Sequence, residues 1–186
     1  MILETPRLLL RTWKPTDFDA FVQMNLTPEV MRFFPSTLTP MQSVESARRL
    51  SEELDKQGWG MWAVECKQTH QFVGMVGLQQ RLAEDGILDT HFVEVVWRLQ
   101  QAFWGQGLAP EAASAAITYA FAQLPFDTIY SLTALSNLPS QRVMQKIGMH
   151  NTEKDFQHPK LGADSPLSWH CLYKLTKSQW LSSRRS

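Results

Sequence analysis

Cysteine is scarce in this chain: its 186 residues include two, Cys66 and Cys171, both in hydrophobic, strand-like surroundings. Such placement reads as buried free thiols in a reducing compartment and excludes a disulfide scaffold. No run of roughly 18 apolar residues occurs and the N-terminus lacks a long apolar segment, so neither a membrane span nor a secretion signal is expected, and the reading is cytoplasmic. An excess of one charge is also missing. Lys plus Arg and Asp plus Glu stand at 18 each, which removes the basic field that marks nucleic-acid binding and leaves small amine-bearing, acidic or basic substrates open. His70, His91, His150, His158 and His170 never pair at ligand spacing with one another or with a cysteine, so no metal is expected. His170 and Cys171 are neighbours in a strand and point to opposite faces, which removes a Cys-His nucleophile. No serine stands in a Gly-x-Ser-x-Gly elbow, and repeats and low-complexity tracts are absent. A chain of this length buries roughly 70% of its extended surface as one domain, so residues 1–186 are read as a single domain.

What is present alternates strands with helices. Residues 2–13 read as a strand interrupted by Pro6 near a sheet edge. Thr16 or Asp17 caps a helix carrying Phe18, Phe21 and Val22, which Pro28 stops or restarts. A second helix runs from about Met41 to Gln57, burying Val44, Ala47, Leu50 and Leu54, and Gly58 ends it. Residues 60–66 and 71–79 form a hairpin, in which Gly74 and Gly77 imply close packing or a bulge. A polar, acidic turn follows from Arg81, and the strand at 90–99 then places Phe92, Glu94, Val96 and Arg98 on one face. A carboxylate and a guanidinium on an otherwise apolar strand read either as a solvated, mutually balancing pair or as part of an active site.

The organising stretch is Phe103-Trp104-Gly105-Gln106-Gly107-Leu108-Ala109-Pro110-Glu111-Ala112, where this strand gives way to an alanine-rich helix at 111–123. Two glycines at such a junction let backbone N–H groups converge at a helix N-terminus, which makes a phosphate or pyrophosphate site. The plain alternative is a tight turn before a helix. A strand at 126–134 and a helix capped by Asn137 and Ser140, with Val143, Met144 and Ile147 buried, complete a β-α-β-α unit whose ligand belongs at the carboxyl ends of its strands. Residues 149–156 and 167–175 read as a final strand pair around the polar loop 157–166, and a short docking helix from Thr176 through Trp180 precedes a frayed tail at 182–186.

Trp104 to Ala112, then Asn137-Leu138-Pro139-Ser140-Gln141-Arg142-Val143-Met144-Gln145-Lys146-Ile147-Gly148-Met149, with the opening Glu4-Thr5-Pro6-Arg7-Leu8-Leu9-Leu10-Arg11 and the closing Leu172 to Leu175, resemble the GNAT superfamily of N-acetyltransferases. The similarity is strongest to the branch that acetylates N-terminal alanines of ribosomal proteins. It implies an α/β fold, α+β by some schemes, with a mixed, centrally twisted sheet of about seven strands flanked by helices. It also implies acetyl-CoA as cosubstrate, without metal, and transfer of the acetyl group to a primary amine of a peptide or small molecule in a ternary complex. Monomer and homodimer both remain open. The resemblance assigns cofactor binding to Val95, Val96, Trp97, Trp104, Gly105, Gln106, Gly107, Leu108, Ala109, Asn137, Ser140 and Arg142, and catalysis to Glu94 as proton acceptor and Ser140 at the sulfur. Glu111 is the rival carboxylate, assigned instead to its helix end.

Two positions depart from the superfamily. Trp104 holds the loop's first place, usually Gln or Arg, and Met144 stands where many members carry a proton-donating tyrosine. Methionine donates no proton, so Ser140 or water must act, or the thiolate of pKa near 8.5 leaves as it is. The missing tyrosine keeps a second reading open, an acyl-CoA-binding regulatory protein with weak or no turnover. A generic nucleotide-binding protein would need a phosphate-loop lysine that this chain lacks.

Overall fold

The computed structural model describes residues 2–184 and divides into two compact units, each drawing on separate stretches of chain. The first, Met1–Leu78 with Val96–Ala116, opens on β1 (Leu3–Glu4) and β2 (Leu8–Arg11). The expected single strand folds back on itself around Pro6, so that Leu3 faces Leu10 in an antiparallel pair and β1 takes the sheet edge. Helix α1 (Asp17–Leu26) follows, and Pro28 restarts the chain as α2 (Pro28–Met31). Thr16 occupies the N-cap of α1 without a side-chain bond, because Asp17 turns its carboxylate to Arg11 and to the Lys14 N–H.

Helix α3 (Pro40–Gln57) begins in a capping box: the Thr39 hydroxyl accepts from the Gln42 N–H at 3.2 Å, and Gln42 Oε1 accepts from the Thr39 N–H at 2.9 Å. Its buried stripe holds Ala47, Leu50 and Leu54 as expected, but Ser43 rather than Val44 takes the fully buried place. Strands β3 (Met61–Cys66) and β4 (Phe72–Arg81) form the expected hairpin, with a register shift at Val64/Glu65 opposite Gly74. A Cβ on Gly74 would lie 2.2 Å from the Arg98 carbonyl oxygen, and one on Gly77 would lie 2.0 Å from that of Gly60. Both glycines are therefore demanded by backbone approach.

The second unit is Gln79–Val95 with Ile117–Ser186. Strand β5 (Phe92–Leu99) and helix α4 (Leu108–Gln123) run through both stretches of sequence, and α4 begins at Leu108 rather than at Glu111. Its Ala112, Ala113, Ala116 and Ala120 are fully buried, the use to which small side chains on a closely packed helix are put. Strand β6 (Thr128–Ala134) pairs in parallel with β5, and α5 (Leu138–Lys146) starts behind Asn137. The expected strand at 149–156 is two short pieces, β7 (His150–Asn151) and β8 (Phe156–Gln157), because Glu153 between them is left-handed at φ +58°. Both pair with β9 (Trp169–Thr176), which is antiparallel to β6 from Thr128↔Thr176 to Ala134↔His170. Thr176 caps α6 (Lys177–Ser183), whose Trp180 meets Phe121 at 6.4 Å between ring centroids, the docking role expected of it. Of the tail read as frayed, Ser182 and Ser183 belong to α6, and residues 185–186 lie outside the described residues.

The strand order is β1-β2-β3-β4-β5-β6-β9-β7, with β8 also on β9, in a mixed α/β, mostly antiparallel sheet flanked by helices. Nine strands among the described residues exceed the seven or so expected because the sheet includes short, broken pieces.

Candidate active site

In the first unit, the sequence from Gln101 makes one 3-10 turn and then enters α4 through Trp104, Gly105, Gln106 and Gly107. Gly105 and Gly107 are left-handed, at φ +74° and +75°, a conformation that costs an L side chain about 1 kcal/mol or more. A Cβ at Gly105 would meet nothing within 4 Å, and one at Gly107 only Arg7 Nη2 at 3.5 Å. The loop thus presents backbone, free of side-chain cover, just ahead of a helix N-terminus, which is the arrangement an anionic group needs. Trp104 is half exposed and donates its indole N–H to the Leu99 carbonyl at 2.9 Å, so it anchors the loop.

A clamp that sequence reasoning missed fixes this loop. Arg7 donates from Nη1 to the Gln106 carbonyl at 2.8 Å and from Nε to Glu111 Oε2 at 2.6 Å. Glu111 Oε1 accepts from the Thr5 hydroxyl at 2.6 Å and from the Arg7 N–H at 2.9 Å. Burial alone would raise the Glu111 pKa, but these donors outweigh it and hold the carboxyl below its ordinary value. Glu111 is thereby engaged in structure, in keeping with its assignment away from proton transfer.

Farther back on β5, Val96, Trp97 and Arg98 are half-buried. Arg98 Nη1 donates to Asn25 Oδ1 at 2.8 Å, and Asn25 Nδ2 donates to the Ser43 hydroxyl at 3.2 Å, with Asn25 and Ser43 both fully buried. The guanidinium carbon stands 4.1 Å from the centroid of the Phe34 ring. Burial lowers the Arg98 pKa to about 10, so it remains charged at neutral pH.

In the second unit, Glu94 is 4% exposed and accepts a hydrogen bond from Arg81 Nε at 2.7 Å. Burial pushes its carboxyl above the ordinary value while the Arg81 charge pulls it down. Of the two readings of Glu94 and Arg98, the solvated, mutually balancing pair does not hold: Glu94 meets Arg81 and Arg98 meets Asn25. Arg81 ends β4 instead of opening the acidic turn, which is why sequence spacing did not connect it with Glu94.

Strands β5 and β6 pair in parallel at Val93↔Ile129 and Glu94↔Tyr130. At the next position the Ser131 hydroxyl donates to the Val95 carbonyl at 3.0 Å.

Asn137 performs the capping expected of it: its Oδ1 accepts from the Ser140 N–H at 3.2 Å. Its Nδ2 donates to Ser140 Oγ at 3.0 Å and Thr133 Oγ1 at 2.8 Å, which leaves the Ser140 hydroxyl proton for an outside acceptor. Arg142 is exposed on α5, and Met144 is 1% exposed, a core residue. The loop after β8 adds what sequence reasoning left unassigned. The His158 and His170 rings meet at 4.8 Å between centroids with a 51° tilt, and burial first of all lowers both pKa values. Of the sequence-assigned residues, Val96, Trp97 and Trp104 to Ala109 belong to the first unit, and Glu94, Val95, Asn137, Ser140 and Arg142 to the second.

Comparison with known proteins bears on this geometry. Across 149 residues the chain is 29% identical to the uncharacterized protein YkkB of Bacillus subtilis (strain 168), covering 80% of this chain and 84% of that one. The crystal structure of an acetyltransferase (GNAT family) from Bacillus anthracis shares the fold at TM-score 0.80 and 22% identity, over 96% of this chain and 99% of that one. The spermidine N-acetyltransferase of Vibrio cholerae, solved in complex with CoA and spermine, shares it at TM-score 0.74 and 17% identity, over 95% and 99% of the two chains. The family model described as acetyltransferase (GNAT) domain matches residues 7–150, and the chain belongs to this GNAT acetyltransferase family.

Proposed function

We propose that this chain transfers an acetyl group from acetyl-CoA to a primary amine, of a protein N-terminus or a small molecule, by direct attack in a ternary complex. It acts as one domain over residues 1–186, in the cytoplasm, as a monomer or homodimer. The observation that carries the reading is the loop at 104–107, whose two left-handed glycines bring bare backbone to the start of α4. The Gly105 to Ala109 amides bind the pyrophosphate. The backbone of β5 at Val95 to Trp97 pairs with the amides of the pantetheine arm. Acetyl-CoA supplies the activated acyl thioester, and the remaining steps fall to the chain's own groups.

The acceptor must lose a proton before it attacks. An α-amine of pKa about 8 is roughly a tenth free base at pH 7, and a lysine near 10.4 well under a thousandth, so a modest base favours α-amines or other amines of low pKa. Glu94 takes that proton through water; burial raises its pKa toward the working range, and Arg81 orients the carboxylate. As the C–S bond breaks, the nitrogen that has attacked gives up its remaining surplus proton, and the Ser140 hydroxyl, held by Asn137, relays it to the departing sulfur.

Two variants test this. Gly107→Val places a β-branched side chain at a left-handed position on the anion-facing loop, and calorimetry should show CoA binding weakened at least about tenfold. Unchanged affinity in a folded variant removes the loop assignment. Glu94→Gln should lower kcat/KM about 10²-fold near neutral pH, with CoA affinity held and the loss shrinking as pH nears the acceptor's own pKa. A parallel drop at every pH assigns Glu94 to substrate placement instead. Normal CoA binding with no thiol release on any amine favours the regulatory reading.

A further inference from the structure

Arg98 is a half-buried charge of the first unit with no ion-pair counterpart among the described residues. It forms no ion pair there, its Nε is sealed from solvent without a hydrogen-bond partner, and the single side-chain bond from its guanidinium goes to a neutral amide. A partly buried cation left in this state is destabilising, and folds tolerate one chiefly where a ligand completes it. The surroundings hold the group in place without neutralising it. Ser43 fixes Asn25, Asn25 fixes one end of the guanidinium, and Phe34 covers its face. The residue as a whole is half-buried.

We propose that Arg98 is a specificity-determining residue that receives a carboxylate carried by the acceptor, so that the amines this enzyme acetylates are amino acids or other amine-bearing acids rather than polyamines. The proposal rests on the acetyl-transfer reading above. A carboxylate at the guanidinium supplies the missing charge, as a charge-assisted hydrogen bond to a planar cation. A phosphate of the donor is the less fitting occupant, because the backbone loop at 104–107, with Arg7 bonded to its Gln106 carbonyl, already provides for an anion. A polyamine brings a second cation to an unneutralised first one, which is repulsive where burial weakens screening.

The experiment uses the full chain, its Arg98→Lys and Arg98→Gln variants, and a panel of free α-amino acids, each matched with its carboxamide at constant ionic strength. Thiol release from acetyl-CoA is followed for each pair, and calorimetry measures CoA binding separately. The wild type should favour acid over amide by about tenfold or more in kcat/KM. Arg98→Lys, which keeps the charge and loses the fork, should retain part of that preference, and Arg98→Gln should fall to near parity, with CoA affinity within about twofold throughout. Equal use of acid and amide by the wild type, or a preference that survives Arg98→Gln, overturns the proposal. Loss of CoA affinity in both variants also overturns it and returns Arg98 to the donor side. If no panel member is turned over, the CoA-bound wild type must still gain thermal stability from the acids and not from the amides, and Arg98→Gln must not; the absence of that gain counts against the site. Carboxylate binding through Arg98 in a chain that neither binds CoA nor releases thiol would instead refute the acetyl-transfer reading and leave the site standing.

Discussion

Two arginines of the same unit are drawn into the protein under opposite electrostatic terms. Arg11 is 6% exposed and fully answered: it donates from Nη1 and Nη2 to Asp17 at 2.7 and 2.8 Å and from Nε to Glu65 at 2.6 Å, which also receives Lys14. Hydrogen bonding to Asp17 raises the Arg11 pKa, whereas burial with no nearby acid lowers that of Arg98. A cavity of about 450 Å³ beside the Arg11 cluster is lined by these charges, already mutually satisfied, together with uncharged residues such as Gln71, Phe72, Gln100 and Phe103. A satisfied ion cluster of this kind holds β2, α1 and β3 together; an unsatisfied guanidinium is what a binding site looks like before its ligand arrives.

The sharpest way to break this comparison is to remove each guanidinium in turn. Arg11→Met leaves Asp17 and Glu65 buried without their cation and should cost about 3–5 kcal/mol in a denaturant titration. Arg98→Met, which removes an uncompensated charge at the expense of one bond to Asn25, should stay within about 1 kcal/mol of wild type. Comparable losses in the two variants would mean that Arg98 is as structural as Arg11.

Acid sharpens the contrast further. Burial tends to raise the Glu65 pKa, but the bonds from Arg11, Lys14 and His70 outweigh it and bring it down to about 2. A folded-state value below the ordinary one contributes stability that is complete above about 4.5 and is lost as pH falls toward 2. Stability measured across that window should therefore decline in the wild type and in Arg98→Met, and decline less in Glu65→Gln. An unchanged acid profile in Glu65→Gln would show that the cluster is not what responds.

Asn25→Asp turns one arrangement into the other by giving Arg98 an internal carboxylate at the distance its amide now occupies. The fold should persist, while any preference for acids over carboxamides should fall about tenfold, because the guanidinium charge is already answered. The smallest effect is expected at the rim. Lys14 Nζ lies 3.1 Å from Glu65 Oε2 with its side chain 55% exposed, so Lys14→Met should cost no more than about 1 kcal/mol.

Local signals were enough for much of the fold. The glycine stop at Gly58, the hairpin over residues 60–79 and the strand-to-helix junction around Gly105 and Gly107 were legible because each depends on residues adjacent in sequence. Asn137 and Ser140 read correctly as a cap for the same reason. The break at Glu153 was not legible, since nothing in residues 149–156 marks that position as left-handed.

The candidate site divides along the same line. Sequence by itself determined which residues carry backbone freedom and which carry charge: two glycines at a junction, a carboxylate and a guanidinium on one strand. Tertiary structure decided what each charge meets. Arg81 reaches Glu94 from another strand, Arg7 reaches Glu111 across 104 residues, and Asn25 reaches Arg98 across 73. Conformational preference is set by a residue and its immediate neighbours, but the energy of a charge is set by whatever the fold brings within a few ångströms of it, and no local pattern records that.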